Sequence, residues 1–124
     1  MQRTVRLIPT VALCVLLSCT CDYTTGERIA NQSQEYTAIT EGIGCGATVP
    51  YQSIIRMERP YRILGHVAWT TSRGIFTATV GLNKLRLNWA DNHHLIVECR
   101  CKKDDVLSKD PQWRDVTVEY QFSQ

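Results

Sequence analysis

The segment Val116-Thr-Val-Glu-Tyr-Gln-Phe122 alternates apolar and polar residues almost without fault, and this period of two predicts a half-buried β-strand. His94 to Cys101 reads the same way: Leu95, Val97, Cys99 and Cys101 face one side, and Ile96, Glu98 and Arg100 face the other. Val49 to Met57 predicts a short strand that stops near Pro60. Tyr61 to Thr71, β-branched and aromatic, predicts another, and Ser72-Arg73-Gly74 turns the chain. Ala78, Leu82, Leu85 and Trp89 recur at spacings of four, three and four. That stripe predicts one helix, with Asn83, Lys84, Arg86 and Asn88 off the apolar face and Asp91-Asn92 closing it. Lys102 to Arg114 is charged, contains Pro111, and predicts an exposed loop. The order β-β-α-β-β implies an α+β fold, a sheet of about four strands with one main helix packed on one face.

The first residues carry a different pattern. Met1 to Arg6 is short and positive, and Leu7 to Leu17 is an apolar run of 11 residues. A bilayer span needs about 20 apolar residues, so this run predicts an export signal over residues 1–18, with a buried core helix as the alternative. Leu16-Leu17-Ser18-Cys19 has the form of a bacterial lipobox. Cleavage after Ser18 and acylation of Cys19 would anchor the chain to a bacterial membrane, facing the periplasm or the exterior; free secretion is the competing reading. Asp22 to Gly42, polar and without a sustained period, predicts a tether, so residues 19–44 read as a lipid-anchored linker and residues 45–124 as the compact domain. A peripheral strand around Ile39 to Ile43 is the alternative. Asn31-Gln32-Ser33 is a glycosylation triplet, which matters only on a eukaryotic secretory route.

The chain has 124 residues, 44% hydrophobic and 21% charged, which supports one domain with a real but small core. Arg3 and Arg6 leave with the signal, after which 12 basic residues face 12 acidic ones. A balanced chain has no broad field for nucleic acid or anionic lipid.

Export makes disulfides the expected state of the cysteines. Cys14 leaves with the signal and Cys19 takes the lipid, so Cys21, Cys45, Cys99 and Cys101 remain. On one strand Cys99 and Cys101 would have Cα atoms ~6.6 Å apart, the outer limit for a bridge. Each of Cys21 and Cys45 is therefore expected to join one of Cys99 and Cys101, in either of two pairings. His93, His94, Cys99 and Cys101 form the one constellation of ligand atoms, which makes a secreted metal- or redox-handling protein the second reading.

Catalytic motifs are missing: there is no Gly-x-Ser-x-Gly elbow, phosphate loop, Cys-x-x-Cys or His-Glu-x-x-His, and no cofactor is implied. Arg56, Arg59 and Arg62 recur at spacing three and form the candidate partner-binding edge. Arg59-Pro-Tyr-Arg-Ile-Leu-Gly-His-Val67, Leu82-Asn-Lys-Leu-Arg-Leu-Asn-Trp-Ala90 and Leu95-Ile-Val-Glu-Cys99 together resemble the small α/β domains of the YbjQ and Rcs stress-sensor lipoprotein group. The resemblance covers about residues 50–122 and implies an exported strand–helix–strand domain. The expected function is that of a non-enzymatic envelope lipoprotein, an interaction or stress-sensing module that meets the membrane through its lipid and also an envelope protein partner.

Overall fold

The computed structural model describes residues 21–46 and 49–124. The expected export signal over residues 1–18 and Cys19 lie outside them.

β1 (Asp22–Ala30) and β2 (Thr37–Gly44) form an antiparallel hairpin in the segment expected to be a tether. That expectation is corrected here, and the reason is position. β1 is an edge strand, exposed along nearly its whole length, so its polar sequence carries no alternation. Behind it, β2 buries Ala38, Ile39 and Thr40. β3 (Gln52–Ile63) pairs with β2 and β4 (His66–Ala78), and β4 pairs with β7 (Val106–Lys109), giving a five-stranded sheet in the order β1-β2-β3-β4-β7.

The α+β expectation is also overturned. Among the described residues, helical structure amounts to two three-residue 3-10 turns, Leu82–Lys84 and Lys103–Asp105. The segment predicted as a helix is the end of β4, the first of these turns, and β5 (Leu85–Asp91). Leu85, Leu87 and Trp89 satisfy a period of two as well as the helical stripe. Thr79, Val80 and Gly81, two β-branched residues and a glycine, tip the balance away from helix. The segment quoted for the family resemblance, Leu82–Ala90, is part of this turn and strand.

β5 joins β6 (His94–Cys99), β9 (Val116–Phe122) and β8 (Gln112–Trp113) in a second sheet ordered β5-β6-β9-β8. β6 and β9 run parallel, because the chain between them crosses to the first sheet as β7 before returning. The expected strands at His94 and at Val116–Phe122 are present; the expected loop 102–114 contains β7 and β8 instead. The two sheets share one core. Ala38, Ile55, Met57 and Phe76 from the first pack with Leu85, Leu87, Val97, Val116 and Val118 from the second. Trp89 packs on its rim and donates its indole N–H to the Ile29 carbonyl at 2.9 Å, tying β5 to β1.

The disulfides are Cys21–Cys45 and Cys99–Cys101, not the crosswise pairs expected. Asp22 lies opposite Gly44 in the β1–β2 register, so Cys21 and Cys45 form the next pair outward, with Cα atoms 4.1 Å apart. β6 ends at Cys99, and the chain bends as Arg100 donates its N–H to the Lys84 carbonyl at 2.9 Å. The bend brings the Cα atoms of Cys99 and Cys101 to 5.2 Å, inside the bridging range that a straight strand would strain.

Candidate functional site

β3 and β4 are longer than the sheet that supports them. Glu58 is the last residue of β3 with a β2 partner, opposite Thr37; beyond it, β3 and β4 continue alone as a two-stranded arm. Pro60 is tolerated because this stretch of β3 has no neighbour on its other side. The expected single strand Tyr61–Thr71 is therefore a hairpin tip. Leu64 and Gly65, at φ 53° and 81°, form the two-residue turn, both in the left-handed region that primed hairpin turns require.

The arm's surface is apolar and cationic. Leu64 is 94% exposed, Ile63 57%, and Val67 and Trp69 54% each. Tyr61 and Trp69 sit opposite each other and stack at 5.1 Å between ring centroids. From Arg59 through Ala90 the sequence contains no Asp or Glu, while Arg59, Arg62 and Arg73 all lie on β3 and β4.

A ladder of rings and guanidinium groups runs from the core out along this arm. Arg114 lies over Trp113 at 5.2 Å, Trp113 meets Tyr36 edge-on at 5.2 Å, and Arg59 lies over both Tyr36 and Tyr61, at 5.6 and 5.0 Å. Tyr36 is buried, and its hydroxyl donates to the Asp115 carboxylate. Burial, then that hydrogen bond, pushes the Tyr36 hydroxyl well above the usual phenol range, and the same bond holds Asp115 below the usual carboxylate range. Asp115 also faces His93, Nδ1 to Oδ2 at 3.1 Å. Buried Asn31 fixes the turn that delivers Tyr36, accepting the Tyr36 N–H at 3.2 Å and donating to the Asn92 carbonyl at 3.0 Å. The glycosylation triplet is thus a structural turn.

The three arginines proposed as one edge do not share a face. Spacing three on a strand alternates sides, so Arg59 points with Met57 and Tyr61 while Arg56 and Arg62 point the other way. Arg56 bridges Glu41 and Glu58 over buried Ile39, and Arg59 also reaches Glu35 at 3.4 Å. Arg62 is exposed on the arm and forms no ion pair among the described residues.

Of the metal constellation, Cys99 and Cys101 are joined to each other, His93 faces Asp115, and His94 stands 3.7 Å from Glu119. Among the described residues no group of three or more His, Cys, Asp or Glu is placed to hold a metal ion. Open clefts also mark the surface. One of about 490 Å³ lies on the second sheet among Lys84, Arg86, Glu98, Arg100 and Gln121. Another of about 420 Å³ lies at the arm's root among Thr71, Ser72, Arg73, Gln112 and Arg114. Sequence reasoning missed Tyr36, Trp69 and Leu64; the Leu-Gly pair between two β-branched stretches was the available signal. Comparison with known protein families, with curated proteins and with solved structures gave no match.

Proposed function

We propose that this chain is a non-enzymatic contact module of the cell envelope, a lipoprotein whose disulfide-stapled sandwich presents the β3–β4 arm to a partner surface. The observation that carries this reading is the arm itself. It extends past the last β2 pairing and exposes four large apolar side chains, Ile63, Leu64, Val67 and Trp69, which the shared core does not use. Large apolar side chains exposed together at one tip and rimmed by polar groups mark an interaction site. Left-handed Leu64 supports it, since backbone strain at an exposed tip is kept where the side chain has a task. Two disulfides fit an oxidising compartment, and Leu16-Leu17-Ser18-Cys19 supports acylation at Cys19.

A photo-crosslinking residue at position 64, expressed in bacterial cells, tests the contact. Adducts are expected at 64 and not at Thr117, on the second sheet. Equal labelling at both positions, or none, would sink the reading. Intact mass of the same material reads the anchor: acyl mass that disappears in Cys19→Ser is the expected result.

A further inference from the structure

We infer that the surface met by the arm is an anionic lipid bilayer, into which the hairpin tip inserts. The inference rests on the contact-module reading and names its partner.

Chemistry along the arm is graded with distance from the tip. Leu64 caps the turn and Ile63 adjoins it. Arg62 and its opposite residue Val67 stand about 7 Å back, Tyr61 and Trp69 about 10 Å, and Arg59 about 17 Å, at strand rise. Leu64 and Ile63 therefore come first, with exposed His66 opposite Ile63, then the Trp–Tyr pair, with one arginine among them and the rest behind. A bilayer surface presents the complementary order. Acyl boundary lies beneath headgroups, Trp and Tyr settle at the interface between them, and a long cationic side chain reaches back to the phosphates. Interfacial elements bury their apolar face about 5–10 Å deep, which takes in the tip up to the aromatic pair.

Charge points the same way. Arg59, Arg62 and Arg73 lie on the arm with no carboxylate in the sequence between residues 59 and 74. Arg59 pairs with Glu35 at 3.4 Å and Arg73 with Asp110 at 3.9 Å, which leaves Arg62 as the arm arginine without an ion pair among the described residues. Arg114 adds a cation at the arm's root beside Arg73. Arg73 stands about 24 Å from the tip at strand rise, beyond a Debye length of the headgroups, so the electrostatic attraction falls chiefly to Arg62, nearest the tip. A hydrophobic cleft in a protein would account for Leu64 and Trp69 but would leave Arg62, set between the apolar tip and the aromatic pair with no ion pair among the described residues, without a purpose.

Vesicle co-sedimentation tests the inference, using the oxidised chain from residue 19 onward with Cys19→Ser so that neither an acyl group nor the basic apolar N-terminal segment contributes. Binding to phosphatidylglycerol–phosphatidylcholine vesicles is expected, with pure phosphatidylcholine at least tenfold weaker and added salt weakening the former. Burying one leucine-sized side chain corresponds to about tenfold or more in partitioning, so Ile63→Ser with Leu64→Asn should lose at least tenfold. Arg62→Gln should lose about fivefold, the share of one cation at an anionic surface. Arg86→Gln, on the second sheet, should change nothing. Equal binding to both vesicle types, or tip variants that bind like wild type, would overturn the inference. Absence of vesicle binding would overturn it too, and the position-64 crosslink then separates the two levels. A protein adduct would keep the contact module with a protein partner, a self-adduct would make the partner a second copy, and no adduct would end both readings.

Discussion

Replacing Leu64 by Asn should make the arm more stable while weakening its contact. Leu64 occupies φ 53°, and a left-handed conformation costs an L-residue with a bulky side chain roughly 1–2 kcal/mol. Asn tolerates that region, and Asn-Gly is the preferred pair for this turn. The lost side chain gives back little, because Leu64 is 94% exposed and so buries only roughly 10 Å², about 0.3 kcal/mol. The net expectation is a gain of about 1 kcal/mol. It should not be sought in the global melt alone. Past Glu58 the arm has two strands, and a two-stranded ribbon opens more readily than the sandwich it leaves. Native-state amide exchange reads the effect directly: backbone amides near the Arg62–Val67 pair should exchange about fivefold more slowly in Leu64→Asn. Val67→Asn, at a less exposed and extended position, should exchange faster than wild type. If Leu64→Asn exchanges as fast as wild type or faster, the turn is not strained, and the claim that an apolar tip is kept against stability fails.

The remaining expectations divide core from surface. Trp113→Ala, at a residue 6% exposed, should cost about 3–5 kcal/mol, whereas Trp69→Ala should cost less than ~1.5 kcal/mol, the worth of its stack on Tyr61; equal losses in denaturant melts followed by circular dichroism would place the arm in the core. Non-reducing peptide mapping should recover Cys21–Cys45 and Cys99–Cys101. Cys21→Ser with Cys45→Ser should cost about 3.5 kcal/mol for its separation of 24 residues, against roughly 1.5 kcal/mol for the two-residue separation of the other pair, and crosswise peptides would refute the register argument. Asp115 is held below the ordinary carboxylate value, so it stabilises the fold fully above about pH 4 and loses that contribution as the pH falls through its lowered value. The Tm gap between wild type and Asp115→Asn should therefore be widest near neutrality and close in acid; a gap independent of pH would deny the Tyr36–Asp115 bond its role.

Local pattern carried the fold where a strand has one wet face and one dry face. β9 and β6 were legible for that reason, whereas the element bearing Leu85 was mistaken for a helix. β1 was illegible because an edge strand exposed on both faces has no alternation to show. The hairpin tip was illegible because Tyr61–Thr71 is apolar enough to pass for a buried strand, and its turn is Leu-Gly, not the Asn-Gly that announces such a turn. The disulfides depend on the β1–β2 register and on a bend after Cys99, neither of which spacing reveals. Of the candidate edge, Arg62 and Arg59 do lie on the arm. Their separation onto opposite faces, and the tying of Arg56 to Glu41 and Glu58, follow only once the segment is known to be a strand.

Replacing the expected tether by strands changes what an acylated Cys19 would do. Cys21 is already pinned to Cys45 at the end of the sheet where Gly44 and Gln52 lie, so a lipid on Cys19 would have only Thr20 as a leash, at most about 7 Å of chain. The arm tip lies at the opposite end of β3, about 37 Å away along the strand at β rise. A lipid on Cys19 and the arm tip would thus occupy opposite poles of one sheet. A molecule standing on its anchor would hold Leu64 away from its own leaflet and towards a facing surface; one lying along the membrane would touch the same leaflet at both ends. The two postures separate in a vesicle assay with the acylated protein. Standing molecules should cluster anionic vesicles in proportion to surface density, and Ile63→Ser with Leu64→Asn should abolish the clustering. Lying molecules should decorate vesicles without joining them. Clustering that survives the tip substitutions would mean that the joining element is not the arm, and would detach the arm from the anchor's function altogether.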